Sequence, residues 1–277
     1  MKKISVVVCA RNEENRIKDC LDSLKKINID EIILVDGNSS DNTRKIANEY
    51  NCKTILSKSG SLTADRQIGI DNTRNNIVAM IDADHILYKN DINDLYADLL
   101  KFKLDIVQSQ LETHSKNNIL NLAEDQLYNV QHNKPGQKKM IGTAPAIYKK
   151  EIFDYVRFDE NITQKMDDTD FIYRLSKFKQ FKIGVGETKI RQNHEAELKE
   201  YYKKYLGYGY GDGEFIHKYP FKIFNILHNL LFKYLLIYPV KSLLSLNFLA
   251  APLFFFQGLI RLMGVLKYFY KKIIIRK

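Results

Sequence analysis

The sequence alternates short apolar runs rich in β-branched residues with segments whose apolar residues recur at helical spacing, and this alternation constrains the fold more than any other feature. The runs predict strands, and the segments between them predict helices. Such alternation is typical of an α/β domain whose mixed, mainly parallel sheet carries helices on both faces. The predicted strands are residues 4–10, 31–35, 53–56 and 77–81, and the predicted helices are residues 14–26, 42–50 and 62–70.

Past residue 84 the pattern is less regular. It predicts helices at residues 91–102, 119–131 and 166–178, and strands at residues 105–110, 144–148 and 181–185. Residues 198–219 form a polar, tyrosine-rich segment with a glycine-rich run at residues 207–213. This run, which includes Tyr208 and Tyr210, is predicted to be mobile. Either it closes over a bound ligand as a secondary contact, or it is a flexible connector.

Acidic residues stand where predicted strands end, and ligands of open α/β sheets bind beyond the carboxyl ends of the strands. Asp82 and Asp84 follow the fourth strand with one residue between them, so a turn can present both carboxylates to one divalent cation. Hard oxygen ligands suit Mg²⁺ or Mn²⁺, which bridges phosphates and neutralises a leaving group. The alternative is a solvated turn without a metal.

Asp36 ends the second predicted strand beside Gly37, where the backbone can turn sharply and a ligand can approach. A carboxylate at such a place accepts a hydrogen bond from a ribose hydroxyl or a base N–H, or else caps the next helix. Residues 11–13 follow the first strand and lie on the same predicted edge, with the same ambiguity.

The combination resembles the family 2 glycosyltransferases with a GT-A fold. Five blocks carry the resemblance in the family's order: S-V-V-V-C-A-R-N-E-E-N-R-I at residues 5–17, L-V-D-G-N-S-S-D-N-T at 34–43, L-T-A-D-R-Q-I-G-I at 62–70, I-D-A-D-H at 81–85 and M-D-D-T-D-F-I-Y-R-L at 166–175. Each block alone has little specificity, and the set of five is specific.

The resemblance implies a nucleoside-diphosphate sugar as donor and a divalent cation, Mn²⁺ or Mg²⁺, as cofactor. It places Asp36 at the base and Arg66 near the base or the phosphates, the alternative for Arg66 being a surface salt bridge. Asp82 and Asp84 become the ribose and metal ligands. The remaining residues of the implied nucleotide site are Ala10, Arg11 and Glu13.

The same resemblance places Asp168 at the family's catalytic base, with Asp167 where the family usually has Glu. Asp168 would take the proton of an acceptor hydroxyl that attacks the anomeric carbon opposite the diphosphate, which inverts configuration. The alternative is that these acids only stabilise the start of a helix. His194 completes the metal shell in many relatives or is a surface histidine, and His85 is expected to be a pocket wall.

The three cysteines, Cys9, Cys20 and Cys52, form no C-x-x-C pair and are expected to be buried free thiols, which favours a cytoplasmic domain. The first strand begins too early to leave room for a cleaved signal peptide.

The net charge of +10 lies entirely in the C-terminal tail. From Phe215 onward there are ten basic residues and no Asp or Glu, and removing these ten leaves 33 basic against 33 acidic residues. Residues 242–260 contain no charge and reach the length of a membrane span. Residues 223–240 are apolar but contain His228 and Lys233, as in an interfacial helix. Both segments could instead be core helices; the cations, spread between apolar runs, favour anionic lipid over nucleic acid.

The sequence therefore predicts an inverting family 2 transferase with a catalytic domain at residues 1–219 and a membrane-associating helical tail at residues 220–277. It would act at the cytoplasmic membrane face, peripherally or with one or two embedded helices, on a hydroxyl of a lipid-linked or membrane-proximal glycan. The open alternatives are a polyprenyl-phosphate acceptor, a catalytically silent membrane-anchored scaffold and a sugar nucleotidyltransferase. Whether the chain forms a homo-oligomer is also open. The nucleotidyltransferase is disfavoured because C-A-R-N-E-E at residues 9–14 lacks a glycine-rich phosphate loop.

Overall fold

The computed structural model describes residues 3–50, 52–162, 166–193 and 197–275. The chain forms two compact units. The first comprises Met1–His114, Lys134–Asn161 and Asp167–His194, and the second comprises Ser115–Asn133, Ile162–Met166 and Glu195–Lys277. The second unit therefore contains residues 195–219 together with the C-terminal tail, whereas the sequence predicts a domain boundary at residue 219.

Within the described residues, nine strands form one sheet in the first unit. The strands are β1 Ser5–Ala10, β2 Glu31–Asp36, β3 Lys53–Leu56, β4 Ile77–Asp82, β5 His85–Ile86, β6 Ile106–Thr113, β7 Gly136–Gln137, β8 Ala146–Lys149 and β9 Ile183–Gln192. The α-helices of both units are α1 Ile17–Lys25, α2 Thr43–Ala47, α3 Leu62–Asp71, α4 Asp91–Lys101, α5 Ile119–Gln131, α6 Asp167–Leu175, α7 Leu198–Lys218, α8 Ile223–His228, α9 Tyr238–Leu244 and α10 Ala250–Ile275.

The sheet has the order β3-β2-β1-β4-β8-β6-β9-β5, with β7 paired to β9. The first four strands in this order are parallel, β8 runs antiparallel to both its neighbours, and β9 runs parallel to β6. The predicted mixed α/β sheet is confirmed. Register pairs Ala10 with Asp36 and Cys9 with Asp82, so the carboxyl ends of β1, β2 and β4 lie at one edge.

Strand β1 is buried on both faces because helices cover both sides of the sheet. Val6 and Val8 point into a core that includes Leu21 and Leu24 of α1, whereas Val7 points into a second core that includes Phe171 of α6. Successive side chains of a strand point to opposite faces, so a continuous apolar run fits this position.

Cys9, Cys20 and Cys52 are free, as predicted. Cys9 and Cys20 are buried, and burial raises the pKa of both thiols. Cys52 is only half-buried.

The strand predicted at residues 181–185 continues to Gln192 in the structure. Its second half pairs with β6 beyond a register shift between Gln108 and Gln110, and β5 pairs with its end. The backbone N–H groups of Glu187 and Thr188 donate to Asp98 Oδ2, each over 2.8 Å. Long-range pairing thus stabilises a polar strand that has little apolar pattern of its own.

The prediction of a mobile glycine-rich run at residues 207–213 is wrong. These residues lie inside the continuous helix α7, which packs against α10. A Cβ on Gly213 would lie 2.6 Å from Tyr268 Cβ, and a Cβ on Gly209 would collide with the backbone of Arg261. The glycines therefore allow two helices to approach closely, and tertiary packing outweighs their low helix propensity.

Two helical stretches of the second unit, Pro220–Leu244 and Ala250–Ile274, are long and apolar enough to cross a membrane, judged by length and composition. The first contains a short 3-10 turn, α8, a π-helical segment at Asn229–Ile237 and α9. The uncharged segment 242–260 is not one helix, because a turn interrupts it between α9 and α10 and Leu246 adopts a positive φ of 58°.

Candidate active site

The loops after β1 and β2 are joined by hydrogen bonds that build one wall of the candidate site. The Asn12 backbone N–H donates to Ser39 Oγ over 3.0 Å, and Asn12 Oδ1 accepts from the Ser40 backbone N–H over 2.9 Å. The Glu13 backbone N–H donates to Thr43 Oγ1 over 2.7 Å. Asn12 has a φ of 56°, which asparagine tolerates better than most residues. The wall is therefore a fixed turn.

Asp36 lies at the end of β2 with no solvent exposure. Its Oδ1 accepts from the Ser39 backbone N–H over 3.2 Å, whereas its Oδ2 is buried and has no hydrogen-bond partner among the described residues. A buried polar atom left unpaired costs about 1–3 kcal/mol. Asp36 therefore keeps one acceptor oxygen without a partner, and a ligand N–H or O–H can pair with it only after the surrounding loops move.

Gly37 follows Asp36, and other protein atoms already occupy the space into which a side chain at this position would extend. A Cβ at this position would lie 2.7 Å from Asp65 Oδ2 and 3.3 Å from Arg11 Cβ. Close packing against α3 and the β1 loop thus accounts for the glycine in this structure. Arg11 itself is exposed, and Ala10 is buried in register with Asp36.

Asp82, Asp84 and His85 form a cluster in which one ligand atom from each lies within 4.8 Å of the others. Asp84 Oδ2 accepts from Gln192 Nε2 over 2.7 Å, so β9 orients this carboxylate. Two carboxylates separated by one residue fit a hard divalent cation, which takes oxygen ligands. The donor set therefore suits Mn²⁺ or Mg²⁺, which Asp82 and Asp84 would hold.

His85 is buried behind this turn, and its Nδ1 accepts a hydrogen bond from the Asp82 backbone N–H over 2.9 Å. The proton of a neutral imidazole is then on Nε2, which lies 3.9 Å from Asp84 Oδ1. A protonated nitrogen cannot ligate a metal. This geometry agrees with the expectation that His85 is a wall of the pocket.

Arg66 lies on α3 and is buried, so the alternative of a surface salt bridge is wrong. Its Nη2 donates to Asp82 Oδ1 over 3.1 Å, and its Nη1 forms an ion pair with Asp167 Oδ2. Thr143 Oγ1 donates to the same Asp167 oxygen over 3.3 Å. The pKa of Arg66 is raised: burial opposes its charge, but Asp82 and other groups outweigh that effect. Arg66 thus connects the end of β4 to the start of α6.

Asp168 lies beside Asp167 in the first turn of α6 and is half-buried. Its Oδ1 accepts from the Thr169 backbone N–H over 2.6 Å. Burial raises the pKa of the neighbouring Tyr148 phenol, Arg66 lowers it, and the charges of Asp168 and Asp82 raise it further. The negative charges of Asp168 and Asp82 therefore both raise the pKa of the buried Tyr148 phenol.

Glu13 also lies in the field of the acidic turn. Burial raises its pKa, the ion pair with Arg16 over 2.7 Å lowers it, and Asp84 and Asp82 raise it. A cation at the turn would offset this accumulation of negative charge.

The other predicted site residues are His194, Tyr208 and Tyr210. His194 is outside the described residues, so its role as a metal ligand stays a prediction. Tyr208 and Tyr210 lie on α7 in the second unit, where Tyr210 contacts the edge of the Tyr268 ring and Arg261 lies 5.8 Å from the Tyr208 ring. Their role toward an acceptor also stays a prediction.

Sequence reasoning missed Asp65, which is buried on α3. Its Oδ1 accepts from Ser59 Oγ over 2.7 Å, and Gly37 packs against its Oδ2. The available signal was a second charged residue beside Arg66 in a helix that covers the sheet. Asp65 holds the β3–α3 loop against the candidate site.

The sequence is similar to those of known glycosyltransferases. The family model for glycosyl transferase family 2 matches residues 5–157. Glycosyltransferase GlyA of Streptococcus pneumoniae is 24% identical over 203 residues, which cover 67% of this chain and 26% of that protein. An uncharacterized glycosyltransferase of Rickettsia typhi is 37% identical over 87 residues, which cover 31% of this chain and 30% of that protein. The chain thus matches less than a third of the length of these relatives.

Solved structures show the same fold at low sequence identity. S. aureus TarS 1-349 aligns with a TM-score of 0.55 and 18% identity, covering 76% of this chain and 65% of that one. Glucosyl-3-phosphoglycerate synthase from Mycobacterium tuberculosis, in complex with Mn²⁺ and UDP, aligns with a TM-score of 0.51 and 19% identity, covering 72% of this chain and 74% of that one.

The fold, with an acidic turn at the carboxyl ends of its strands, is of the GT-A type. The chain belongs to glycosyl transferase family 2, whose model matches more than half of it.

Proposed function

We propose that this chain is a glycosyltransferase that takes its sugar from a uridine diphosphate donor, with a divalent cation at Asp82 and Asp84, and inverts the anomeric centre. The observation that carries the proposal is the acidic turn of Asp82 and Asp84, which lies at the same sheet edge as the buried Asp36. Solved neighbours with UDP-GlcNAc, or with UDP and Mn²⁺, support it by analogy.

The hydrogen-bonding capacity of Asp36 favours uracil among the bases. One carboxylate oxygen already accepts from Ser39, and the other is vacant. Uracil offers a single ring N–H, which fits one vacant acceptor. Guanine offers a ring N–H and an amino group side by side, which a carboxylate satisfies with both of its oxygens. Cytosine has no ring N–H, and its amino group carries two N–H donors, of which one vacant acceptor satisfies only one.

Asp36→Asn is expected to weaken UDP binding by ~10- to 100-fold, because a hydrogen bond to a charged group contributes about 1.5–3 kcal/mol. Isothermal titration calorimetry with UDP measures this effect. Asp154→Asn is the matched control, because Asp154 is exposed beyond β8 at the opposite end of the sheet and should leave the affinity unchanged. Equal UDP affinity in Asp36→Asn and wild type, or a wild-type preference for GDP, contradicts the uracil assignment.

Asp84→Asn is expected to reduce Mn²⁺ affinity by roughly tenfold or more, because hard cations prefer charged oxygen ligands. The signal of free Mn²⁺ in electron paramagnetic resonance, recorded with UDP present, reports binding directly and requires no turnover. Asp94→Asn is a suitable control, since Asp94 lies on α4 outside the cluster. Unchanged Mn²⁺ binding in Asp84→Asn would rule out the acidic turn as the cation site.

Asp168 is proposed as the base of the transfer. Its carboxylate takes the proton of an acceptor hydroxyl while that oxygen bonds to the anomeric carbon, and the bond from that carbon to the diphosphate breaks. A polyprenyl phosphate is already anionic and needs no base, so Asp168 favours a hydroxyl of a lipid-linked or membrane-proximal glycan. A silent scaffold is disfavoured because it would have no need for a vacant acceptor beside an acidic turn.

The C-terminal tail is proposed to attach the enzyme to the cytoplasmic face of a membrane. Of the most apolar 18-residue segment in each stretch, only 17% is buried in Pro220–Leu244 and 44% in Ala250–Ile274. Because core helices are mostly buried, these values disfavour that alternative. Residues 220–277 contain nine basic residues and no acidic ones, and this charge complements anionic lipid. The division into a catalytic domain at residues 1–219 and a membrane-associating tail at residues 220–277 stays a prediction. The formation of a homo-oligomer also stays a prediction.

Vesicle flotation tests the attachment. The full chain is expected to float with vesicles that contain phosphatidylglycerol, and to do so less at high salt. The variant Phe255→Ser/Leu259→Ser/Met263→Ser removes exposed apolar side chains and should float poorly. Its matched control, Leu56→Ser/Leu100→Ser/Met140→Ser, changes exposed apolar residues of the first unit. If the wild-type chain stays in the soluble fraction, the attachment proposal is wrong.

A further inference from the structure

We infer that the two apolar helical stretches lie in the plane of one lipid leaflet and do not cross the bilayer. The inference rests on the membrane attachment proposed above. We call residues 220–275, which comprise Pro220–Leu244, the turn at 245–249 and α10, the C-terminal hairpin. Both ends of this hairpin and its turn would then remain on the same side of the membrane.

Helix α10 exposes apolar side chains along one stripe only. The exposed apolar residues lie within an arc of about 100° around the helix axis: Phe255, Phe256, Leu259, Met263, Leu266, Tyr270, Ile273 and Ile274. The opposite face is buried and includes Phe254, Val265 and Tyr268. A single apolar stripe with a covered back is the pattern of a helix that lies in an interface, whereas a lone spanning helix meets lipid all around.

The first helical stretch of the hairpin also has buried and exposed apolar residues. Ile226, Leu230 and Tyr234 are buried at a spacing of four residues. Its exposed apolar residues are Phe221, Phe224, Leu231, Phe232, Leu236, Ile237, Val240, Leu243 and Leu244. The turn adds exposed Leu246 and Phe248. Exposed apolar residues thus occur along the whole hairpin, including its turn.

Helix α7 runs beside α10 in the same direction. The Tyr201 hydroxyl donates to the Leu253 backbone oxygen over 3.4 Å, Gly209 packs on Arg261, and Gly213 packs on Tyr268. The contact from Leu253 to Tyr268 covers about 22 Å of helix axis at 1.5 Å per residue. Because the hydrocarbon core is ~30 Å thick, a membrane-crossing α10 would draw α7 into it.

Helix α7 and its neighbour α5 are unsuited to hydrocarbon. Lys203 is exposed, Lys204 lies 3.7 Å from Glu124 of α5, and Asp212 is fully buried. Charged residues are expensive within a bilayer. An in-plane hairpin avoids this cost, because α5 and α7 then cover the side of the hairpin that faces away from lipid.

The cations of the hairpin support the same placement. Lys267 and Lys271 are exposed, and each follows a residue of the apolar stripe, so each can reach the head groups beside it. Arg261 is not available to lipid in this way, because its Nε and Nη2 donate to the two oxygens of Asp212, each over 2.9 Å. The proposed occupant of the surface is one leaflet containing anionic lipid.

Double-cysteine labelling tests this topology. His217 lies near Tyr268 and Ser245 lies in the turn, so a spanning hairpin would place them on opposite sides of the bilayer. The variant His217→Cys/Ser245→Cys/Cys52→Ser leaves the buried Cys9 and Cys20 in place. The full chain is reconstituted from detergent into sealed phosphatidylglycerol vesicles, which permits both orientations, and is treated with a membrane-impermeant maleimide. Peptide mapping then identifies the labelled sites in each molecule.

An in-plane hairpin gives molecules labelled at both sites, at residue 217 alone if the turn is shielded by lipid, or at neither. It gives none labelled at residue 245 alone. A spanning hairpin gives molecules labelled at 245 alone, from the population of opposite orientation, and this result overturns the inference. Flotation of the same variant is measured in parallel. Loss of flotation contradicts the attachment itself, whereas flotation with label at 245 alone contradicts only the in-plane placement.

Discussion

Asp168→Asn is expected to slow the release of UDP from a hydrolysable UDP-sugar by ~10²- to 10⁴-fold, the usual contribution of a positioned base. Asparagine keeps the size of the side chain and can still accept from the Thr169 backbone N–H, but it cannot take a proton from an attacking hydroxyl or water. The effect should fall on kcat, because Asp36 and the acidic turn, which are proposed to bind the nucleotide, are unchanged. A coupled assay of UDP release measures the rate.

Two measurements make the Asp168→Asn result specific. UDP affinity by calorimetry should stay within about twofold of wild type, since loss of the base removes an interaction made in the transition state. Asp154→Asn, at the opposite end of the sheet, should retain wild-type turnover. Wild-type turnover in Asp168→Asn would mean that another group accepts the proton or that the acceptor is already anionic.

Arg66→Met is expected to destabilise the first unit by about 3–5 kcal/mol, the typical cost of leaving a buried charge without its partner. Asp167 has a side chain that is 10% exposed and depends on Arg66 for its counter-charge. At about 2–4 °C per kcal/mol, the melting temperature should fall by ~6–20 °C. Scanning fluorimetry of the full chain measures the shift.

The double variant Arg66→Met/Asp167→Asn separates an ion pair from general damage to α3. Removing the charge of Asp167 as well should recover part of the lost stability, so the double variant should be more stable than the sum of the two single variants predicts. Additive losses would show that Arg66 and Asp167 are not energetically coupled. Arg74→Met, at an exposed pair with Asp30, is the control and should cost about 1 kcal/mol or less.

Much of the first unit could be predicted from the sequence. Strands β1 and β4 are buried on both faces and are therefore continuous apolar, β-branched runs, which can be recognised in the sequence. Asp36 and Asp82 were predicted at strand ends, and the parallel register of β1, β2 and β4 brings them to one edge. Here local pattern and global topology agree.

Other features depend on contacts between distant residues. The ion pair of Arg66 with Asp167 joins positions far apart in the chain, and no local pattern indicates it. The vacancy at Asp36 Oδ2 depends on which atoms surround it in space. The glycines of α7 suggest a loop until α10 supplies the surface on which they pack. Sequence reasoning failed where tertiary contacts reverse a local preference.

The close apposition of α7 and α10 has a consequence for any shortened form of the chain. Loss of everything after residue 219 would strip α7 of the helix that covers Gly209 and Gly213, and would deprive Asp212 of the guanidinium that neutralises it. The C-terminal segment is therefore an integral part of the second unit, and its removal would destabilise α7. Proteolysis that removed it is expected to leave α7 unstable, so that loss of the proposed membrane attachment would coincide with partial unfolding.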